Sequence, residues 1–183
     1  THNQQLHQLD QLFTRLRAHN LKVNLKKCLF GSTEVNYLGF HLSSAGIQPG
    51  IDKLKAVKSA KPPSNVKEVR QFLGLCNFFR NHVRDYATLA HRLSATMEGY
   101  TKRQSKSVMT WTDELKQDFY RLQTAIVNCA KLSFQDVKAP IRVYTDASDY
   151  GIGAYVAQVV DGKEEPIEFI SKTLTKCERR WST

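Results

Sequence analysis

The feature that most constrains the fold is the alternation of side chains between residues 141 and 155. Ile141, Val143 and Thr145 occupy every second position, which is the side-chain period of a β-strand. Residues 148–151 then have the composition of a turn, and a second apolar run extends to residue 160. The pattern predicts two consecutive strands joined by a short turn, with Asp146 at the end of the first strand.

Asp146 is a candidate metal ligand because of that position. A carboxylate held on a rigid element at the lip of a sheet offers the hard oxygen atoms that Mg²⁺ prefers. An acid at a strand end is also common as a plain turn residue, since Asp hydrogen bonds readily to nearby backbone amides. The local pattern leaves both roles open, and we expect Asp149 to serve the turn rather than a metal.

The size and composition of the chain are those of a globular protein. Its 183 residues are 41% hydrophobic and 24% charged, which suits one domain or two small ones. No apolar run approaches the roughly 18 residues of a membrane span and no signal peptide opens the chain, so we expect an intracellular protein without a membrane partner. Because the chain starts with Thr rather than Met, we also expect a fragment of a longer polypeptide.

The net charge of +10 is unevenly distributed. Residues 1–100 hold 14 Lys and Arg against 6 Asp and Glu, whereas residues 101–183 hold 13 against 11. A basic first part beside a nearly neutral second part is typical of a nucleic-acid-binding module joined to a metal-dependent one. Solubility alone is the alternative explanation of this charge.

The cysteines give no sign of a metal or disulfide framework. Cys28, Cys76, Cys129 and Cys177 stand about fifty residues apart, with no Cys-x-x-Cys pair and no His at ligand spacing. We therefore expect four free thiols.

Apolar residues recur at helical spacing in three stretches, residues 6–16, 66–79 and 115–126. Asn65 followed by Glu68 is a capping box that predicts the start of the second helix, and Thr112 is the predicted N-cap of the third. A shorter helix is predicted from Asp52, as its N-cap, to Val57.

Two further stretches predict strands. Residues 34–43 form a predicted strand broken by Gly39, which indicates a hairpin or a bulge where another backbone approaches closely. A third strand near the C-terminus is predicted over residues 167–171. Thr175 with Glu178 forms another capping box, which predicts a helix that runs to the C-terminus.

Three short motifs resemble the opening of the ribonuclease H domain of gypsy-type LTR-retrotransposon Pol polyproteins. They are Thr-Asp-Ala-Ser at 145–148, Gly-Ile-Gly-Ala at 151–154 and Ile-Ser-Lys-Thr-Leu at 170–174. The resemblance implies that Asp146 is the first of four metal-binding carboxylates in a site that holds Mg²⁺ or Mn²⁺. It also implies that the second carboxylate, a Glu, lies a few residues beyond Thr183.

An earlier part of the chain resembles the end of the reverse-transcriptase palm in the same family, over residues 21–28 and 35–40. The resemblance implies a primer grip, which holds the primer end by backbone and aromatic contact, at Tyr37, Leu38, Gly39 and Phe40. It places Lys27 where the family has a lysine proposed to protonate the leaving pyrophosphate, and a positioned ammonium suits that chemistry. A pair of lysines beside a loop is otherwise an ordinary solvated surface.

Residues 65–80 resemble the thumb helix of these enzymes. In related enzymes the positions that match Arg70, Gly74 and Phe78 follow the minor groove of the template-primer, and their spacing of one helical turn places them on one side. The alternative is that Gly74 packs against another helix and that Phe78 belongs to the core. A glycine inside a helix costs about 1 kcal/mol relative to Ala, so we expect a reason for Gly74.

The resemblance covers nearly the whole chain and implies an α+β fold. It assigns residues 1–49 to the palm, 50–108 to the thumb and a polar linker, and 109–183 to the truncated N-terminal part of a ribonuclease H-like domain with a mixed sheet and a helix. The implied activities are RNA-directed DNA synthesis and hydrolysis of the RNA strand of RNA–DNA hybrids. The implied partners are template-primer duplex, RNA–DNA hybrid and the rest of the Pol polyprotein, in the cytoplasm, a virus-like particle or the nucleus.

The chain departs from the family in one motif, since the Tyr-x-Asp-Asp metal site of the palm does not occur in it. We therefore expect this fragment to be inactive by itself as a nucleotidyltransferase and as an endonuclease. One alternative is a non-catalytic nucleic-acid-binding relic or domesticated protein. Another is a structural interaction module that binds no nucleic acid.

Overall fold

A computed structural model describes residues 1–100, 106–175 and 177–180. Contacts divide the chain into two compact units, Thr1–Thr33 and Glu34–Thr183. None of the helices in the described ranges is long and apolar enough to span a bilayer. Residues 101–105 of the predicted linker lie outside the described residues. The domain bounds proposed from the sequence stay a prediction.

The first unit contains helix α1, His2–Ala18, and a 3-10 turn at Leu25–Lys27. Thr1 caps α1 through a capping box with Gln4, and the chain leaves the helix through Asn20, whose φ is 55°. The predicted helix is confirmed. Asn24 caps the 3-10 turn by accepting a hydrogen bond from the Lys26 amide.

The second unit begins with a three-stranded antiparallel sheet, in the order β1-β2-β3. The strands are β1 Glu34–Tyr37, β2 Phe40–Ser43 and β3 Gly46–Pro49. Leu38 and Gly39 form the two-residue turn between β1 and β2, with φ values of 50° and 84°, as a type I′ hairpin requires. The predicted hairpin is confirmed, whereas β3 was not predicted.

The helices that follow are α2 Ile51–Lys58, α3 Val66–Asn77, α4 Tyr86–Ala95 and α5 Asp113–Val127, with a 3-10 turn at Arg80–His82. Asn65 and Thr112 cap α3 and α5 as predicted, each through its side-chain oxygen. The predicted cap at Asp52 is wrong, because Gly50 is the N-cap of α2 and Asp52 lies in the first turn, where a carboxylate complements the helix dipole. Helix α4 was not predicted; its N-cap Asp85 is left-handed and makes no capping hydrogen bond.

These four helices share one hydrophobic core. Its buried members are Val57, Val69, Phe72, Leu73, Cys76, Phe79, Val83, Tyr86, Ala90, Leu93, Phe119, Leu122 and Ile126. Phe72 of α3 packs on Phe119 of α5, with ring centroids 4.6 Å apart. All four cysteines are free thiols, as predicted, and burial in this core raises the pKa of Cys76 to about 12.

The last part of the unit is a second three-stranded sheet, with strands β4 Ile141–Ala147, β5 Gly151–Val160 and β6 Lys163–Thr173. These strands pair antiparallel throughout, where a mixed sheet was expected. Thr175 and Glu178 form the predicted capping box, but the described residues after it form a 3-10 turn, Glu178–Arg180. The α+β fold class is confirmed.

Hydrogen bonds attach sheet β4–β6 to α4 and to the 3-10 turn before it. The Ser171 hydroxyl accepts a hydrogen bond from the Ala87 amide of α4 at 2.7 Å, and the Arg80 guanidinium donates to the Ser171 carbonyl. Asn81 donates to Glu168 at 2.8 Å. These bonds bring the turn between β4 and β5 close to the start of α4.

Candidate nucleic-acid interface and metal ligand

The tip of the β1–β2 hairpin projects two side chains into solvent. Tyr37 is 60% exposed and Leu38 is 74% exposed. Leu38 also has a positive φ, which costs an L-residue with a side chain roughly 1–2 kcal/mol. A large apolar residue in a strained conformation at an exposed tip is unfavourable for folding alone, so this tip is a candidate contact surface.

Phe40 anchors the base of the hairpin to the end of α3. Its ring stacks on Phe78 with centroids 4.4 Å apart and planes 20° from parallel. The Lys53 ammonium of α2 lies 4.0 Å from the centroid of the Phe78 ring, within cation–π distance. Gly39 completes the cluster, because a Cβ there would come within 2.4 Å of the Lys53 side chain and 3.2 Å of Phe78.

Two of the predicted contact residues on helix α3 are exposed to solvent. Arg70 and Gly74 are exposed, and a Cβ built on Gly74 would meet nothing within 4 Å. The alternative of helix packing at Gly74 is therefore wrong. Phe78 is half-buried and contributes to the edge of the core, where it also contacts Phe79.

His82 lies behind the hairpin, next to a cavity of about 460 Å³. Its side chain is 3% exposed, and its Nδ1–H donates to the Ala130 carbonyl at 3.0 Å. Burial lowers the pKa of His82, although the bond to Ala130 acts in the opposite direction. The imidazole is also stacked on Phe40, with ring centroids 5.4 Å apart, so it supports the hairpin in its neutral form.

Lys27 lies at the end of the 3-10 turn in the first unit and is exposed. Its assignment as a proton donor comes from the resemblance, and it stays a prediction.

Asp146 lies at the penultimate position of β4, exposed, as predicted. It lines a shallow cleft of about 180 Å³ that Arg84 and Asp85 border from the start of α4. Its Oδ1 accepts a hydrogen bond from the Ala147 amide at 2.9 Å. Gly153 stands beside Asp146 in the strand register, and a Cβ there would lie 3.6 Å from Asp85 Oδ1, so this glycine leaves space between the two acids.

Ser148 makes the side-chain hydrogen bonds of the β4–β5 turn. Its hydroxyl accepts from the amides of Tyr150 and Gly151 at 3.4 and 3.2 Å. Asp149 lies in the same turn, and the expectation that it serves the turn rather than a metal stays a prediction.

The carboxylate oxygens of this cleft are of the donor type that Mg²⁺ or Mn²⁺ takes. The bond to Ala147 occupies one lone pair of Asp146 and orients the carboxylate, which keeps further lone pairs for an ion. Within residues 1–100, 106–175 and 177–180, no three His, Cys, Asp or Glu residues are grouped closely enough to hold a metal.

Known proteins resemble this chain in sequence and in fold. The profile of a family described as an RNase H-like domain found in reverse transcriptase matches residues 111–183. The Pol polyprotein of the Drosophila melanogaster transposon opus is 33% identical over 173 residues, which are 92% of this chain and 17% of that protein. The Pol polyprotein of the transposon gypsy, from the same organism, is 32% identical over 181 residues, which are 96% of this chain and 17% of that protein. The sequence of the chain is thus similar to part of these retrovirus-related Pol polyproteins.

The likeness of this Pol-related chain to gypsy-type elements is thereby confirmed, and the chain spans about a sixth of the length of these relatives. Its fold is similar to that of part of a foamy viral protease-reverse transcriptase, solved in complex with an RNA/DNA hybrid. The TM-score is 0.74 at 24% identity, over 100% of this chain and 24% of that protein.

Several residues of the hairpin cluster and of the Asp146 cleft could not be found from the sequence. Lys53 and His82 join the hairpin cluster through tertiary contacts, and Arg84 and Asp85 reach the Asp146 cleft from a helix that was not predicted. The positive φ of Asp85 is visible only in the structure. The one available signal was Asp85 itself, an acid directly before a helical stretch.

Proposed function

We propose that this chain binds template-primer duplex and RNA–DNA hybrid as part of a retroelement polymerase that carries ribonuclease H. The observation that carries the proposal is the hairpin tip, where Tyr37 and Leu38 stay exposed while Phe40 is stacked on Phe78. A rigid base under an exposed apolar tip suits contact with a strand end, because little conformational freedom is lost on binding. The complex of the foamy viral protein with an RNA/DNA hybrid supports the same partner.

Helix α3 would extend this surface along the duplex. The missing side chain at Gly74 allows a sugar-phosphate backbone to approach the helix, and Arg70 supplies a positive charge one turn away. The excess of Lys and Arg over residues 1–100 gives the electrostatic attraction to phosphates.

Asp146 would hold the divalent ion of the ribonuclease H part, and we expect Mg²⁺ or Mn²⁺. When bound, such an ion polarises a phosphate and lowers the pKa of a coordinated water. The role of this chain is to orient the carboxylate, through the Ala147 amide, at an open edge of the sheet.

Binding without cleavage is the second candidate for the chain by itself. Arg84 borders the same cleft as Asp146 and Asp85, and it lies 3.8 Å from the Asp85 carboxylate. A guanidinium beside the acids offsets part of the negative charge that two metal ions require. We therefore propose that the chain alone binds hybrid and leaves it intact.

The salt dependence of binding tests the proposed function. The dissociation constant for a blunt RNA–DNA hybrid is measured between low and physiological salt. If about five phosphates are neutralised, the logarithm of the dissociation constant rises with log salt with a slope of about 4 to 5. A flat response would exclude phosphate-dominated binding.

Mn²⁺ binding tests the assignment of Asp146. Paramagnetic broadening of backbone resonances is expected around residues 146–147 and 153, and Asp146→Asn should remove it. Asp149→Asn is the matched control, since it removes the same charge three residues along the chain. Loss of broadening in the control variant, with retention in Asp146→Asn, would show that the wrong acid was assigned.

A further inference from the structure

A second cleft lies between α4, α5 and the β4–β5 turn, away from the hairpin. Its volume is about 470 Å³, and His91, Arg92, Asp118, Arg121 and Tyr150 are among its lining residues. The proposed function does not use this cleft. Its lining combines positive charge with aromatic rings, which is unusual for a space between packed helices.

Asp118 is a buried carboxylate shared by two arginines. The residue is 8% exposed, Arg92 Nε lies 2.8 Å from its Oδ2, and an Arg121 guanidinium nitrogen lies 3.8 Å from its Oδ1. Oδ2 accepts no well-directed hydrogen bond from the described part of the chain, so the contact with Arg92 is a close ion pair. One carboxylate between two guanidiniums leaves a net positive charge.

The side chains of both arginines are largely exposed to solvent. The side chains of Arg92 and Arg121 are 58% and 63% exposed. Asp118 therefore acts as a fixed point that orients two guanidiniums toward the cleft, and guanidiniums held in place lose less entropy when they bind a phosphate.

Tyr150 lines the same cleft and contacts a further positive charge, that of Arg179. Its ring packs on His91, with centroids 4.9 Å apart, and the Arg179 guanidinium lies 5.4 Å from the ring centroid. The β4–β5 turn thus adds an aromatic ring to the cleft lining, and the C-terminal 3-10 turn places a guanidinium beside that ring.

An apolar groove of about 600 Å³ continues the cleft along α5 and shares Leu89 and Arg121 with it. Tyr120 lines this groove and is 50% exposed. An exposed ring next to a guanidinium is the arrangement in which a base stacks while its phosphate is neutralised.

We propose that the cleft and groove together bind an unpaired stretch of nucleic acid, with phosphates at Arg92 and Arg121 and a base on Tyr120. A duplex keeps its bases paired and stacked, so an aromatic ring in a concave groove reaches a base only where the strand is single. The inference rests on the proposed function, because it adds a second contact for the same class of partner.

Two hybrids of equal duplex length test the proposal, one blunt and one with a single-stranded extension of about eight nucleotides, a length within the site sizes of single-strand binding folds. Arg121→Ala and Tyr120→Leu should each weaken binding of the extended hybrid by about tenfold while changing the blunt hybrid less than about twofold. Arg121→Ala should also reduce the salt slope for the extended hybrid by about 0.7, the value for one lost phosphate on a single strand, and Tyr120→Leu should leave it unchanged.

Lys116→Ala is the matched control, because it removes one positive charge from the same helix and Lys116 pairs with Asp113 outside the cleft. Arg121→Lys should restore most of the salt slope. Equal weakening of both hybrids, or no change in either, would overturn the proposal. Failure of the wild-type chain to bind the blunt hybrid would instead overturn the proposed function.

Discussion

Gly74 is a residue whose cost in folding is not explained by the packing of the described residues. It lies inside α3, faces solvent and has no neighbour within 4 Å of a built Cβ. Nothing in the packing of the described residues requires a glycine there, and the proposed function supplies a requirement, the close approach of a nucleic-acid backbone.

Gly74→Ala should therefore raise the free energy of unfolding by about 1 kcal/mol, because alanine is the better helix former. Gly74→Val should fold at least as well as wild type and bind hybrid more weakly, since its branched side chain obstructs the backbone. Thermal melts and binding constants of both variants check this. Undiminished binding by a folded Gly74→Val variant would mean that no nucleic-acid backbone approaches the helix at this position.

His82 should make stability depend on pH. Its folded-state pKa lies below the ordinary value of 6.5 because burial penalises the imidazolium. The unfolded state then binds more protons, so this stability is fully present above pH 6.5 and is lost as the pH falls through the folded-state pKa.

The measurement is the melting temperature between pH 5 and pH 7.5, a range chosen to span the ordinary His pKa of about 6.5. His82→Asn keeps a donor for the Ala130 carbonyl without a titratable ring and should flatten the profile. An unchanged profile in this variant would assign the pH dependence to another group.

At the scale of elements, the hairpin shows strain at its exposed tip. Type I′ turns favour Asn or Gly at the position that Leu38 occupies. Its left-handed backbone is tolerated because Phe40, Phe78 and Lys53 hold the base of the turn.

Leu38→Asn should raise the stability of the chain by about 1 kcal/mol, because Asn tolerates the left-handed region. It should also weaken hybrid binding by removing the exposed apolar contact. The check is a melting curve paired with a binding titration. A more stable variant with undiminished affinity would mean that the tip does not touch the ligand.

Elements were predictable from the sequence where local signals were complete. The capping residues Asn65 and Thr112 fixed the starts of α3 and α5, and strand alternation placed Asp146. Helix α4 was missed because no acid follows Asp85 in the first turn, and strand β3 was missed because Gly46 and Pro49 at its ends are turn-forming residues.

The candidate site was only partly predictable for a related reason. Motif spacing gave Asp146 and the hairpin residues, but the cleft beside Asp146 and the stack on Phe78 join segments far apart in sequence. Such pairings depend on tertiary packing, which a single sequence does not encode in any local pattern.

For the molecule as a whole, helices α2–α4 and the start of the region matched by the RNase H-like family share one hydrophobic core. Phe119 of α5 is fully buried against Phe72 of α3, and the Trp111 indole donates to the Pro63 carbonyl at 2.6 Å. Helix α5 lies in the region matched by the RNase H-like family, whereas α3 lies before it.

Phe119→Ala should cost about 3–5 kcal/mol, because it opens a cavity at the centre of the shared core. We expect α3 and sheet β4–β6 to lose hydrogen-exchange protection together. Loss of protection in the sheet alone would indicate two independent domains. Tyr120→Ala, an exposed neighbour on the same helix, is the control and should cost far less.

The Gln123 amide donates hydrogen bonds to the carbonyls of Val57 and Ala60 at 2.8 and 3.0 Å, and so closes the end of α2 with a side chain from the RNase H-like region. These hydrogen bonds limit where the genes of two related retroelements can recombine. A template switch that joined two related Pol genes between the codons for residues 60 and 111 would pair α2 from one parent with α5 from the other. Viable recombinants between diverged elements should therefore have few junctions in that interval and more of them after α5.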